Sequence, residues 1–121
     1  MKELKFVENP SLYRNLEGLK IELSNKICDK KGLFKELADK LKFPSYFGNN
    51  WDALYNCLTD LHWIIEKNIT IVHSDVPNLS KNDLRIYIET LSSSIQDWKK
   101  EESHNLEVIF PSFAEAIFKT L

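Results

Sequence analysis

The side chains with the chemistry for catalysis or metal binding are few and badly spaced for it. His62, His73 and His104 have no close-set Cys, Asp or Glu that would complete a ligand set or a proton relay. Cys28 and Cys57 give one spacing that matches no zinc pattern, so both read as structural thiols. Asp52 and Asp60 are a possible acid pair, but on one helix they stand about 12 Å apart along the axis, too far for paired acid–base work without convergence. With three glycines in the chain there is neither a Gly-x-Gly-x-x-Gly nor a Walker loop to cradle phosphate. The expectation is a protein that is not an enzyme and takes no cofactor or metal.

What remains is a binding surface. The stretch from Pro44 to Leu61 begins as a loop and ends as a helix. Pro44 closes the helix before it, Gly48 permits backbone angles that a Cβ forbids, and Asn49 or Asn50 caps the next helix. At 100° per residue Asn50, Ala53, Leu54, Cys57, Leu58 and Leu61 gather on one side, the stripe that an amphipathic helix buries. The other side carries Asp52, Tyr55, Asn56 and Thr59, with Asp60, Trp51 and His62 on its margins and Tyr46, Phe47 and Asn49 in the loop. Aromatics on a face that need not be buried, here set beside carboxylates, are what protein interfaces are enriched in. The same pattern also fits a core edge on which Trp51 and Tyr55 close the rim and the carboxylates are solvated.

The rest of the chain bounds what this surface can meet. At 121 residues, 43% hydrophobic and 28% charged, the sequence fits one soluble domain that needs no disulfides. Its net charge is −2, and its Lys and Arg are dispersed, so a nucleic acid partner is disfavoured and a basic protein partner is more natural. No apolar stretch approaches the roughly 20 residues of a membrane span, and the first residues lack a signal core, which predicts a cytoplasmic protein with reduced cysteines.

Positioning elements follow in order. Residues 1–18 form an extension that makes a short strand or a turn of helix. Leu19–Leu23 alternates like a strand. Asp29 caps a helix that buries Leu33, Phe34, Leu37 and Leu41 and stops before Pro44. Ile69–His73 is a near-continuously apolar strand suited to an interior position. Ser80 opens a helix running to about Lys100, with Leu84, Tyr87, Ile88, Leu91, Ile95 and Trp98 inward. Leu106–Phe110 is a third strand, and Ser112 with Glu115 makes a capping box for a short helix over 112–121. The expected fold class is α/β: one domain, a small three-stranded parallel sheet packed by helices.

Tyr-Phe-Gly-Asn-Asn-Trp-Asp-Ala-Leu-Tyr-Asn-Cys-Leu-Thr, from Tyr46 to Thr59, is similar without a gap to the barstar signature Tyr-Tyr-Gly-Glu-Asn-Leu-Asp-Ala-Leu-Trp-Asp-Cys-Leu-Thr. The resemblance extends back to about Ile27 and, with short insertions, forward to Leu106–Phe110. It implies the barstar architecture and an inhibitor that plugs the basic active site of a secreted ribonuclease inside the cell that makes it. By this resemblance Tyr46 matches a loop tyrosine that covers the cleft, Asp52 matches the first helix aspartate, Tyr55 stands at a contact tryptophan, and Trp51 stands at a contact leucine. Asn56 departs from the pattern, standing where the family has the aspartate that fills the phosphate pocket. Asp60 is one turn farther along and offers a replacement charge, and another acidic contact falls near Asp97 with a one-residue shift and on Trp98 without one. The implied partner is a basic nuclease toxin met by a protein that is monomeric when free; a protein-interaction module with a non-nuclease partner is the alternative.

Overall fold

A computed structural model describes residues 2–14, 17–101 and 103–121. In chain order the elements are strand β1 (Lys5–Val7), a 3-10 turn (Pro10–Leu12), strand β2 (Leu19–Leu23), helix α1 (Lys30–Leu41), helix α2 (Trp51–Leu58), strand β3 (Asn68–His73), helix α3 (Lys81–Glu101), strand β4 (Asn105–Pro111) and helix α4 (Ala114–Phe118). The strands form a parallel sheet in the order β1-β4-β3-β2.

The sheet therefore has four strands where three were expected, because the N-terminal extension supplies β1 at the edge. Three residues are too few to show the two-residue alternation that marks a strand in sequence. Tertiary contacts hold β1 instead: Phe6 packs against Phe110 and Phe118, and Lys5 pairs with Glu107, which also accepts a hydrogen bond of 2.9 Å from the Tyr13 hydroxyl.

Side chains of a strand alternate between faces, so the register assigns each one. Ile69, Ile71, Leu106, Val108 and Phe110 face the helices and join Ile21, Leu23 and the helix stripes in one core. Thr70, Val72 and Ile109 point to the other face and are still buried, since the 3-10 turn after β1 lies across β3 and β4. That is how β3 is covered on both faces.

Helix boundaries follow local chemistry. The Asp29 carboxylate accepts from the Gly32 N–H at 2.7 Å, and the Ser80 hydroxyl accepts from the Asp83 N–H at 3.1 Å. The expected capping box at Ser112 is absent: Phe113 occupies the cap position without a side-chain bond, and the Glu115 N–H reaches the Ser112 main-chain carbonyl at 3.4 Å. The strand running into Pro111 is followed by a turn of main-chain bonds, which leaves the serine hydroxyl without that role.

At the end of β3, His73 is wholly buried and stacks on Phe110 with ring centroids 3.9 Å apart. The Ile109 carbonyl can only accept, so Nδ1 donates to it at 3.0 Å and Nε2 accepts the Tyr87 hydroxyl at 2.6 Å. Burial disfavours the imidazolium and lowers the pKa from 6.5 to about 3. The unfolded chain thus holds one more proton than the folded chain between these two values, and stability falls as pH drops through that window. Urea unfolding from pH 7 to pH 4 should show a loss approaching about 1.4 kcal/mol per pH unit below 6.5 from this residue. His73→Gln should flatten the slope, and an unchanged slope in that variant would assign it to other groups.

Candidate protein-binding site

The loop entering α2 is shaped by two residues with left-handed dihedrals. Lys42 (φ 58°) ends α1, with the N–H of the residue bonded to the Ala38 carbonyl, and Asn49 (φ 54°) turns the chain into α2. The expectation for Gly48 is thereby corrected: the unusual backbone angle falls on Asn49, one of the few residue types that tolerate it. Asn50 is the cap, its side-chain oxygen accepting from the Ala53 N–H at 2.8 Å, and is exposed instead of lying with the apolar stripe.

Leu54, Cys57, Leu58 and Leu61 are buried as the spacing requires. Two polar ties then fix α2 to α3. The Trp98 indole donates to the Leu58 carbonyl at 2.7 Å, and the Tyr55 hydroxyl donates to the Asp97 carboxylate. That second bond, together with partial desolvation, raises the pKa of Tyr55 above the usual phenol value. Thr59 closes the helix by donating to the Tyr55 carbonyl at 2.8 Å.

The outward face combines most of the residues singled out from the sequence. Asp52, Asn56 and Asp60 are exposed, Tyr55, Thr59 and Asp97 are half-buried, and Tyr46 stands 66% exposed with its hydroxyl 3.4 Å from Asp60. The His62 ring lies 2.8 Å from the other Asp60 oxygen, and this bond is the main cause lowering the Asp60 pKa. Asn49 is exposed at the loop tip. Phe47 and Trp51 are turned partly inward: Phe47 packs edge-on to Phe34 and Phe43, and Trp51 packs edge-on to Phe34 at 4.9 Å. For Trp51 the core-rim placement holds, and Tyr55 reaches across to α3.

Two open grooves flank the Tyr55–Asp97 bond. One, of about 440 Å³, is lined by Thr59, Asp60, Asp97, Trp98, Lys100, Glu101 and Ser103. The other, of about 290 Å³, is lined by Trp51, Asp52, Tyr55, Ile86, Glu89, Thr90 and Ser93. Glu89 and Glu101 were not identified from sequence because they belong to a different element and join this face only through the packing of α3 on α2. Their outward positions on the α3 stripe were the available signal. Among the described residues no group of three His, Cys, Asp or Glu is placed to hold a metal ion, and no helix is long and apolar enough to cross a membrane. The arrangement is a carboxylate-bearing ridge with flanking grooves, which can accept hydrogen bonds and cations from a protein surface.

The family model described as "Barstar (barnase inhibitor)" matches residues 19–111, from β2 through β4 and across the whole ridge. A protein of Bacillus subtilis (strain 168) named "Putative ribonuclease inhibitor YrdF" is 34% identical over 77 residues, 64% of this chain and 80% of that one.

The division of α2 into a gripping and a presenting side is directly testable by chemical denaturation. Leu54→Ala should cost roughly 2–5 kcal/mol by leaving a cavity, whereas Asp52→Ala should stay within about 0.5 kcal/mol of the parent. Similar losses for both would mean that the helix is rotated from this placement. With a family model matched over residues 19–111, most of the sequence, the chain belongs to the barstar family.

Proposed function

We propose that this protein is an intracellular inhibitor, of antitoxin or immunity type, that blocks the basic active site of a ribonuclease or related nuclease toxin. The observation that carries this reading is the ridge itself: Tyr46, Asp52, Asn56, Asp60 and Asp97 lie together on a loop and two tied helices in a member of a family described by barnase inhibition. An enzyme that binds RNA displays a cationic cleft, and carboxylates fixed on a rigid scaffold are drawn to it and held by charge-assisted hydrogen bonds. No reaction takes place on the inhibitor. The protein acts as a monomer in the cytoplasm, where it protects the cell that makes the nuclease.

Asn56 shapes the target. Its exposed amide hydrogen-bonds but brings no charge to the partner's phosphate pocket, so the charge must come from the flanks, Asp52 on one side and Asp60 with Asp97 on the other. A nuclease whose cations are spread around its cleft fits this better than one with a single deep phosphate site. The same amide favours the second reading, a barstar-fold interaction module for a basic protein that is not a nuclease.

RNA cleavage by a panel of basic microbial ribonucleases, including any secreted nuclease encoded beside this gene, tests the proposal. Inhibition should appear at stoichiometric inhibitor and weaken with salt, as charge-steered association does. Asp52→Ala and Asp97→Ala should each weaken it about tenfold or more, or about 1.4 kcal/mol. Full RNA cleavage across the panel at excess protein, with recovery of a non-nuclease from its own cell extract, would establish the second reading.

A further inference from the structure

Asp60 does not stand alone on the ridge. The residue after it, Leu61, is buried with left-handed dihedrals (φ 48°), which reverses the chain at the end of α2 and brings His62 back onto Asp60 at 2.8 Å. The His62 ring rests edge-on against Trp63, centroids 5.2 Å apart, and the Trp63 indole is anchored to the Leu41 carbonyl at 2.8 Å. A buried leucine below and a fixed indole beside it make this a built contact, even though both polar groups are solvent-accessible.

We infer that His62 is a positioning residue that makes partner binding at Asp60 depend on pH. With His62 neutral, Nδ1–H donates to one Asp60 oxygen and holds the carboxylate toward the groove, its negative charge available to a cation of the partner. With His62 protonated, the imidazolium forms an internal ion pair with Asp60 and repels an incoming guanidinium or ammonium group. The other groups facing the pair are the Tyr46 hydroxyl from the entry loop, the Cys57 thiol from α2, and Asp97, Lys100 and Glu101 across the groove from α3. A second imidazole, His104, packs edge-on against Trp98 at the far side of this groove, with its Nδ1 2.9 Å from the Glu66 carbonyl, so the His62→Gln variant is what separates the two rings. Linkage requires the converse effect: a cation arriving at Asp60 drives a proton off His62. This inference rests on the ridge being the binding surface.

The coupling is read first in the free protein, by NMR titration of the Asp60 carboxyl in the parent and in His62→Gln. The Asp60 midpoint should move to higher pH when the imidazole is lost. Binding is then measured with a hexa-arginine peptide at pH 8.0 and pH 5.5, at equal low ionic strength. The parent should bind about two- to fivefold more weakly at pH 5.5, the scale of one solvent-exposed ion pair, and His62→Gln should lose that difference. An Asp60 midpoint unchanged by His62→Gln, or the same pH dependence in parent and His62→Gln, would overturn the inference. Ribonuclease inhibition followed in parallel separates the two readings: pH-dependent peptide binding without inhibition refutes only the inhibitor, and pH-independent inhibition refutes only the role of His62.

Discussion

An eight-residue helix does not hold itself together in water, because the cost of nucleating a helix is not recovered over two turns. That constraint organises the half of the molecule that carries the ridge. α2 exists because its inward leucines are fully buried, Asn50 satisfies a free N–H at its start, and Trp98 satisfies the Leu58 carbonyl near its end. Each tie comes from outside the helix or from its margin. Of the outward side chains, Tyr55 and Thr59 add to these ties, whereas Asp52 and Asn56 are exposed and carry none of them, which is what the proposed recognition role requires.

The same dependence makes the ridge rigid. Left-handed turns at Lys42, Asn49 and Leu61 bracket the loop and the helix, and the last of these sets a bulky side chain in an uncommon conformation. Such a conformation costs on the order of 1–2 kcal/mol, and burying a leucine side chain offsets a similar amount. Carboxylates on a surface held this way need little ordering when a partner arrives, so less of the interaction energy is spent on immobilising them. The Tyr55–Asp97 bond extends this order to α3, which joins the ridge as a second wall.

How much of this was legible in the sequence depended on how local each signal was. The stripes of α1, α2 and α3 and the strands β2, β3 and β4 could be read because each is a periodic pattern within one segment. β1 could not, since Lys5–Val7 is defined by Phe110, Phe118 and Glu107 about a hundred residues away. Gly48 was the natural position for an unusual backbone angle, yet the turn places that angle on Asn49. Ser112 has the right neighbour for a capping box, but the backbone turn after Pro111 satisfies the Glu115 N–H without the hydroxyl. The acidic and aromatic ridge was legible residue by residue. Its grooves were not, because Glu89 and Glu101 reach it only through helix packing. The Asp60–His62 contact was hidden for another reason: a helical wheel separates positions two apart by about 200°, and only the reversal at Leu61 brings the two side chains together.

The central claim is that this ridge, and no other surface, meets the partner. Amide hydrogen exchange on the protein with and without a bound basic ribonuclease tests it most directly. The account predicts added protection over Tyr46–Asp60 and around Asp97, with β1 and α4 unchanged. Protection confined to β1, the 3-10 turn or α4, with the Tyr46–Asp60 segment exchanging as in the free protein, would contradict it.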